Sequence, residues 1–233
     1  MTLTSLKTAL KKAATPQRAK VSQRFFKTGK GQYGEGDVFI GITVPEMRKI
    51  AHAFKDLSLP EIKQLLESPI HEERFVALEI LVHQFDHEKE RQKEIYEFYL
   101  SHTEKVNNWD LVDTSAEYIV GAYLKDTDTS ILTTLAKSSS LWERRIAIVS
   151  TFYFIKHNQF QETLKIASIL LKDNHDLIHK AVGWMLREIG KRDKTTLENF
   201  LKQHNTFMPR TMLRYAIERF PKEERERYLK SNA

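Results

Sequence analysis

Trp109, Asp110 and Asp113 fall together in the stretch "VNNWDLVDTSAEYIVGAYL", Val106 to Leu124. An indole face attracts cations, and a carboxylate stabilises positive charge developing nearby. On a helix, residues four apart share a face, so Trp109 and Asp113 would present both groups on one side. Packing alone could account for the indole. Asp110 reads as a first-turn acid complementing the helix dipole. Asp113 lies past the first turn in an apolar sequence, where a lone carboxylate is costly to bury. It is therefore either paired with an arginine, for which Arg145 and Arg187 are candidates, or exposed in a cleft.

The remaining two tryptophans sit beside cations. "SLWERRIAIV" holds Trp142, Arg144 and Arg145. "HKAVGWMLREIGKR" holds Lys180, Trp184, Arg187, Lys191 and Arg192. Lys180, Trp184 and either Arg187 or Lys191 have the spacing of one helix face. Trp142 reads as a plug at a helix junction, and Trp109 and Trp184, each taken alone, as packing residues. The nine histidines include two pairs four apart, His83/His87 and His175/His179. Neither pair has an HExxH context or an acid at the expected offset, so no metal site is expected. No phosphate-cradling or dinucleotide-binding glycine motif occurs, and no cofactor is expected.

These side chains need a scaffold, and composition says which kind. With 41% hydrophobic and 29% charged residues in 233, the chain belongs with folded globular proteins. It has no cysteine, which removes disulfides and thiol chemistry. An N-terminus without a long apolar core and the lack of any run of about 18 apolar residues lead us to expect a cytoplasmic protein without a membrane partner. The net charge of +6 permits a polyanionic partner without requiring one.

Only 8 glycines and 6 prolines interrupt the sequence, and period-two alternation is nearly absent, so the fold class is all-α. Helix starts are expected at Thr4 or Ser5, Thr15-Pro16, Thr43, Ser58, Ser68-Pro69, Asn107 or Asn108, and near Asp128, Ser140, Gln159, His175, Asp193 and Pro209. A further helix covers "EKERQKEIYEFYLSH", and a last one follows Pro221. "KTGKGQYGEGDVFIGIT", Lys27 to Thr43, holds five of the eight glycines and reads as a mobile connector with backbone available to a ligand. The expected organisation is a single domain, with N-terminal helices and the connector in residues 1–42, a repeat array in 43–220 and a C-terminal helix in 221–233.

Basic-then-aliphatic openings recur at Arg74, Arg145, Lys180 and Arg214. The later steps are roughly 35 residues and the first is about twice that, a repeat-sized period, with Trp109 filling the missing step. Such a period implies one helical hairpin per repeat and an α-solenoid of HEAT-like type. Equivalent positions then line one face, so Trp109, Arg145 and Lys180 are expected along a stripe on a concave basic surface.

"NNWDLVDTSAEYIVGAYL", "WERRIAI" and "KAVGWMLREIGKR", in this order, together with "YGEGDVFIGITVPEMRKIA", resemble the HEAT-like-repeat DNA alkylation repair proteins of the AlkD group. The resemblance runs from about Val21 to Phe220. It implies a monomeric alkylpurine DNA glycosylase that acts on double-stranded DNA, needs no metal, and excises bases without flipping them into a pocket. Trp109, Asp113 and Trp184 match the family's lesion-facing residues. Arg145 and Arg187 match residues that hold the DNA backbone, and Arg144, Lys180 and Lys191 lie where they would add phosphate contacts. Asn108 stands where some members have a second aromatic, and Arg144 adjoins Arg145, so either arginine could face DNA. Some relatives lack the Trp/Asp set and bind unusual DNA structures without excision, whereas this chain keeps it. The competing readings are a non-catalytic binder of damaged or branched DNA and a HEAT-like scaffold for a protein partner.

Overall fold

The computed structural model describes residues 2–231. It is helical, and among the described residues the only β-type pairing is an isolated parallel bridge between Val38 and Ile70. The fold divides into two compact units that part between Ser115 and Ala116.

The first unit contains α1 (Leu3–Ala13), α2 (Pro16–Phe25), α3 (Val44–Ala53), α4 (Leu59–Leu66), α5 (His71–His87), α6 (Gln92–Leu100) and α7 (Trp109–Ala116). Local chemistry sets most starts. Glu46 accepts from the Thr43 backbone N–H (3.0 Å) and hydroxyl (2.6 Å), and Glu61 does the same for Ser58 (3.0 and 2.7 Å). Thr2, rather than Thr4 or Ser5, caps α1. Lys27, in the left-handed region at φ 52°, stops α2.

Helix α5 is the core of this unit, with α3 and α4 packed along it. It opens at His71, a little beyond the Ser68-Pro69 start expected from sequence, because Ile70 is extended and paired with Val38. Its first turn, His71, Glu72, Glu73 and Arg74, is charged yet buried. Such groups are buried only when paired, and each has its partner. Glu72 accepts backbone N–H groups of Ile40 (3.1 Å) and Gly41 (2.7 Å), and Glu73 pairs with Lys7 (3.0 Å). The 37–43 end of the connector is therefore a packed strap, while residues 27–36, with four of the five glycines, are mostly exposed. Phe39 and Ile42 are buried in it. Gly41, at φ +84°, lets the strap pass against the backbone of Thr15 and Ala19, where a Cβ would collide.

The second unit holds a π-helical segment (Glu117–Gly121), then α8 (Ala122–Leu124), α9 (Ser130–Ala136), α10 (Leu141–Ser150), α11 (Phe152–Lys156), α12 (Gln161–Leu170), α13 (Asp176–Gly190), α14 (Lys194–His204), α15 (Arg210–Ala216) and α16 (Lys222–Ser231). Helix α13 packs against α10, α14 and α15 around fully buried Val182, Met185, Leu186 and Ile189. Two crossings are closed by glycine. Gly121 lies against the Ser150 carbonyl and Tyr153 Cβ, and Gly183 against the Met212 carbonyl and Tyr215 Cβ. The sequence spacing from Gly121 to Ser150 equals that from Gly183 to Met212, so the same contact is built twice.

A second repeated contact corrects the register. Arg74 Nη1 donates to the Ser68 carbonyl (2.8 Å), Arg144 Nη1 to the Ser138 carbonyl (3.0 Å), and His179 Nε2 contacts the Asp173 carbonyl (2.5 Å). Each side chain reaches back to a carbonyl at the same offset in sequence and fastens the turn that leads into its helix. The step from Arg74 to Arg144 is twice the step from Arg144 to His179. The repeat thus runs through Arg74, Arg144 and His179, with Trp109 midway between the arginines. It does not run through Arg145 and Lys180, as the sequence pattern suggested. A shift of one residue turns a helical position by about 100°.

Candidate active site

The first unit contains a cleft of about 440 Å³. Phe25 and Phe26 from the end of α2, Phe39 and Ile42 from the strap, Val44, Met47 and Arg48 from α3, His71 and Phe75 from α5, and Trp109, Asp110, Asp113 and Thr114 from α7 line it. The helical spacing of Trp109 and Asp113 thus places both on one wall.

The indole packs on a cluster of rings in which Phe26 touches both Phe39 and His71, the latter at 5.2 Å. His71 lies on Phe39 (centroids 4.4 Å apart, planes at 24°), Phe39 on Phe26 (4.8 Å, 18°) and Phe26 on Trp109 (5.2 Å, 15°). Phe25 meets the indole edge-on at 6.0 Å. Phe26 therefore occupies one face of Trp109. Beyond it, Glu79 receives Arg48 Nε (3.0 Å) and the Thr114 hydroxyl (2.5 Å), fixing the α3 wall to α7.

A charged network surrounds His71 beneath the rings. His71 Nδ1 is 3.0 Å from Asp37 Oδ2, and its Nε2 is 2.8 Å from Asp110 Oδ2. Arg74 Nη2 donates to the other Asp37 oxygen (2.5 Å), and Asn108 Nδ2 donates to Asp37 (3.1 Å). With a carboxylate on each ring nitrogen, both must carry hydrogen, which makes His71 an imidazolium. Burial disfavours that cation, but the charge and hydrogen bond of Asp110 and the hydrogen bond of Asp37 outweigh burial and the nearby Arg74, and they raise the His71 pKa above its ordinary value. Asp37 moves the other way. Its burial is overcome by the hydrogen bond from His71, the Arg74 guanidinium and Asn108, which hold its carboxyl below the usual range.

Asp110 is thus more than a dipole partner. It ties the first turn of α7 to α5 while its Oδ1 accepts from the Leu111 N–H (2.9 Å). Asn108 Oδ1 accepts from the Trp109 N–H (2.8 Å) while its amide reaches Asp37, which sets the start of α7. Asp37 and His71 went unnoticed in the sequence. The available signal was "HEER", four polar residues placed directly before the apolar run "FVALEIL".

The other expected site residues belong to the second unit. Trp184, half-buried on α13, packs on Phe152 at 5.6 Å. Arg187 is bound by Glu218 and lies 3.9 Å from Glu188. Arg145 is buried and donates to the Leu177 carbonyl (2.7 Å). Arg144 is held by Asp173 (2.6 Å) and by the Ser138 and Ser139 carbonyls. Lys180 pairs with Asp176 (2.7 Å) and Lys191 with Glu188 (2.6 Å). Trp142 is half-buried at the start of α10.

A sequence profile of the family described as DNA alkylation repair enzyme matches residues 6–220. This chain belongs to that family. The alkylation-repair fold is also seen in solved structures. One, from Enterococcus faecalis and described as a predicted DNA alkylation repair enzyme, aligns with a TM-score of 0.70 at 17% identity, over 90% of this chain and 97% of that one. AlkD2 from Streptococcus mutans aligns at 0.53 with 17% identity, over 93% and 96% of the two chains. The protein smu.31 from Streptococcus mutans UA159 aligns at 0.53 with 19% identity, over 82% and 91%. A search of curated proteins finds no match. Among the described residues of this alkylation-repair family member, no group of three or more acids and histidines is placed to hold a metal ion, and no helix is long and apolar enough to cross a membrane.

Proposed function

We propose that this protein hydrolyses the N-glycosidic bond of cationic N3- or N7-alkylated purines in duplex DNA. The observation carrying this reading is that Trp109 and Asp113, one helical turn apart, line the same aromatic cleft. An alkylated purine already bears a positive charge and leaves without a general acid. The C1′–N bond breaks with its electron pair going to the base, and positive charge grows on the sugar. The Asp113 carboxylate stabilises that charge and orients the water whose oxygen bonds to C1′, and the water's surplus proton passes to solvent. The Trp109 indole attracts the cationic base by about 0.5–2 kcal/mol. The base need not leave the stack.

Phosphates fall first to Lys180 and Lys191, whose side chains are partly exposed beside Asp176 and Glu188. Arg144, Arg145 and Arg187 reach a phosphate only by giving up bonds to Asp173, the Leu177 carbonyl and Glu218.

The test is release of free base from methylated duplex. Wild type releases 3-methyladenine or 7-methylguanine, and Asp113→Asn, folded by circular dichroism, is reduced at least about 100-fold, the scale of losing one transition-state electrostatic partner. No release by the wild type removes the glycosylase reading. If duplex binding persists in that case, the protein is a binder of altered DNA.

A further inference from the structure

The basic character of the protein is concentrated in one place. Residues 1–34 hold eight lysines and arginines and no Asp or Glu, while the rest of the chain holds the other 29 against all 31 acids. The +6 of the whole protein is therefore supplied by its first 34 residues, and the remainder is slightly acidic.

Within this segment, Lys7 and Arg18 are spent on Glu73 (3.0 Å) and Glu46 (3.3 Å). Lys20, Arg24 and Lys27 are exposed, and no carboxylate pairs with them among the described residues. Lys20 and Arg24, four apart, share one face of α2, and Lys27 follows directly after the helix end. Beside them, Val21 and Phe25 are 65% and 63% exposed. The opposite face, through Ala19, Ser22 and Phe26, is the one turned inward. Helix α2 has no fully buried residue, yet it is fixed at its start by the Thr15 N–H bond to the Ile40 carbonyl (3.0 Å) and the close approach at Gly41. Its far end supplies Phe25 and Phe26 to the cleft.

We infer that the outer face of α2 is a duplex-DNA docking surface, in which Lys20, Arg24 and Lys27 bind consecutive phosphates and Val21 with Phe25 presses into the adjoining groove. Charge complementarity favours a polyanion. Continuity with the Trp109 cleft favours the same duplex that the cleft addresses, because Phe25 belongs to both. Apolar side chains of this size enter grooves against base edges or steps, while cations on the neighbouring face follow the backbone. The inference rests on the DNA reading above but not on base excision.

The experiment measures equilibrium binding of an undamaged duplex by fluorescence anisotropy across about 50–200 mM salt, for wild type and for Lys20→Gln/Arg24→Gln/Lys27→Gln. Each phosphate contact contributes about 0.9 to the slope of log affinity against log salt, so the triple variant loses about 2.7. The wild type's advantage over it then shrinks about 40-fold across that range. Phe25→Ala weakens binding equally at all salts and leaves the slope unchanged. Single-turnover base release at saturating methylated duplex is measured in parallel for wild type and the triple variant. Excision with an unchanged slope in the triple variant overturns the docking surface and spares the glycosylase. A reduced slope without excision by the wild type does the reverse. Absence of duplex binding by the wild type overturns the inference. So does a triple variant that matches wild type on DNA but no longer binds phosphatidylserine-containing vesicles, an outcome that assigns the helix to a membrane surface.

Discussion

Replacing Asp110 by Asn tests the charged network most directly. The wild-type carboxylate accepts twice, from His71 Nε2 at 2.8 Å and from the Leu111 N–H at 2.9 Å. An amide has one acceptor. If its oxygen stays with Leu111, its NH2 faces the imidazolium N–H, and if it turns to His71 the Leu111 N–H is orphaned. A hydrogen bond to a charged group contributes about 1.5–3 kcal/mol. In a protein of this size that amounts to a fall in Tm of roughly 3–12 °C.

The sign depends on pH. His71 has its folded pKa raised above 6.5, so its stabilising share is complete below 6.5 and disappears as pH rises through the folded value. The gap between wild type and Asp110→Asn is therefore widest below pH 6.5 and narrows as pH rises through the folded pKa of His71. Above it a neutral His71 in the wild type turns a lone pair toward the Asp110 carboxylate, whereas the variant's amide can donate to it. Asp37 and Arg74, the other charges facing the ring, are present in both proteins. Thermal unfolding followed by circular dichroism from pH 6 upward gives the gap, and 15N chemical shifts of the His71 ring give its protonation. A gap that does not change with pH, or a His71 that is neutral in the wild type at pH 6, refutes the reasoning.

Three further outcomes follow from the same geometry. Gly183→Ala places a methyl 2.5 Å from the Met212 carbonyl and from Tyr215 Cβ, and chemical denaturation should show a loss of about 1–3 kcal/mol, as for other overpacked sites. Glu72→Gln keeps one oxygen for the Gly41 N–H but turns an NH2 toward the Ile40 N–H, which both carboxylate oxygens meet at 3.1 Å. It should cost about 1–3 kcal/mol and raise hydrogen exchange in the 38–42 strap before the rest of the unit. Trp109→Ala should lower base release while leaving phosphate binding, and hence the salt slope, unchanged.

What sequence revealed depended on the range of the interaction. Caps act within a single turn, so Thr43, Ser58, Asp193 and Pro209 mark helix starts correctly. Trp109 and Asp113 share a wall because helical spacing alone decides it. Ser68-Pro69 misleads because Ile70 is held extended by Val38, far upstream in the chain, and no local pattern contains that bridge. Asp110 gains its role from His71 and, through it, Asp37, both distant in sequence. The register fails by one because arginines occur in succession at 144 and 145. Only the bond to the Ser138 carbonyl separates them. The connector's glycines suggest freedom until Glu72 is found gathering the N–H groups of Ile40 and Gly41.

The ring cluster of His71, Phe39, Phe26 and Trp109 has an optical consequence. Phe39 lies 4.8 Å from Phe26 and Phe26 lies 5.2 Å from Trp109, so these three rings couple their electronic transitions beside the charge of His71. Such coupling appears in the near-ultraviolet circular dichroism and in the indole's emission. His71 gains or loses a proton against Phe26, and Trp109, on Phe26 as well, faces the cleft. Light absorbed by Trp109 therefore carries a record of the charge on His71, and the protein comes with its own dye.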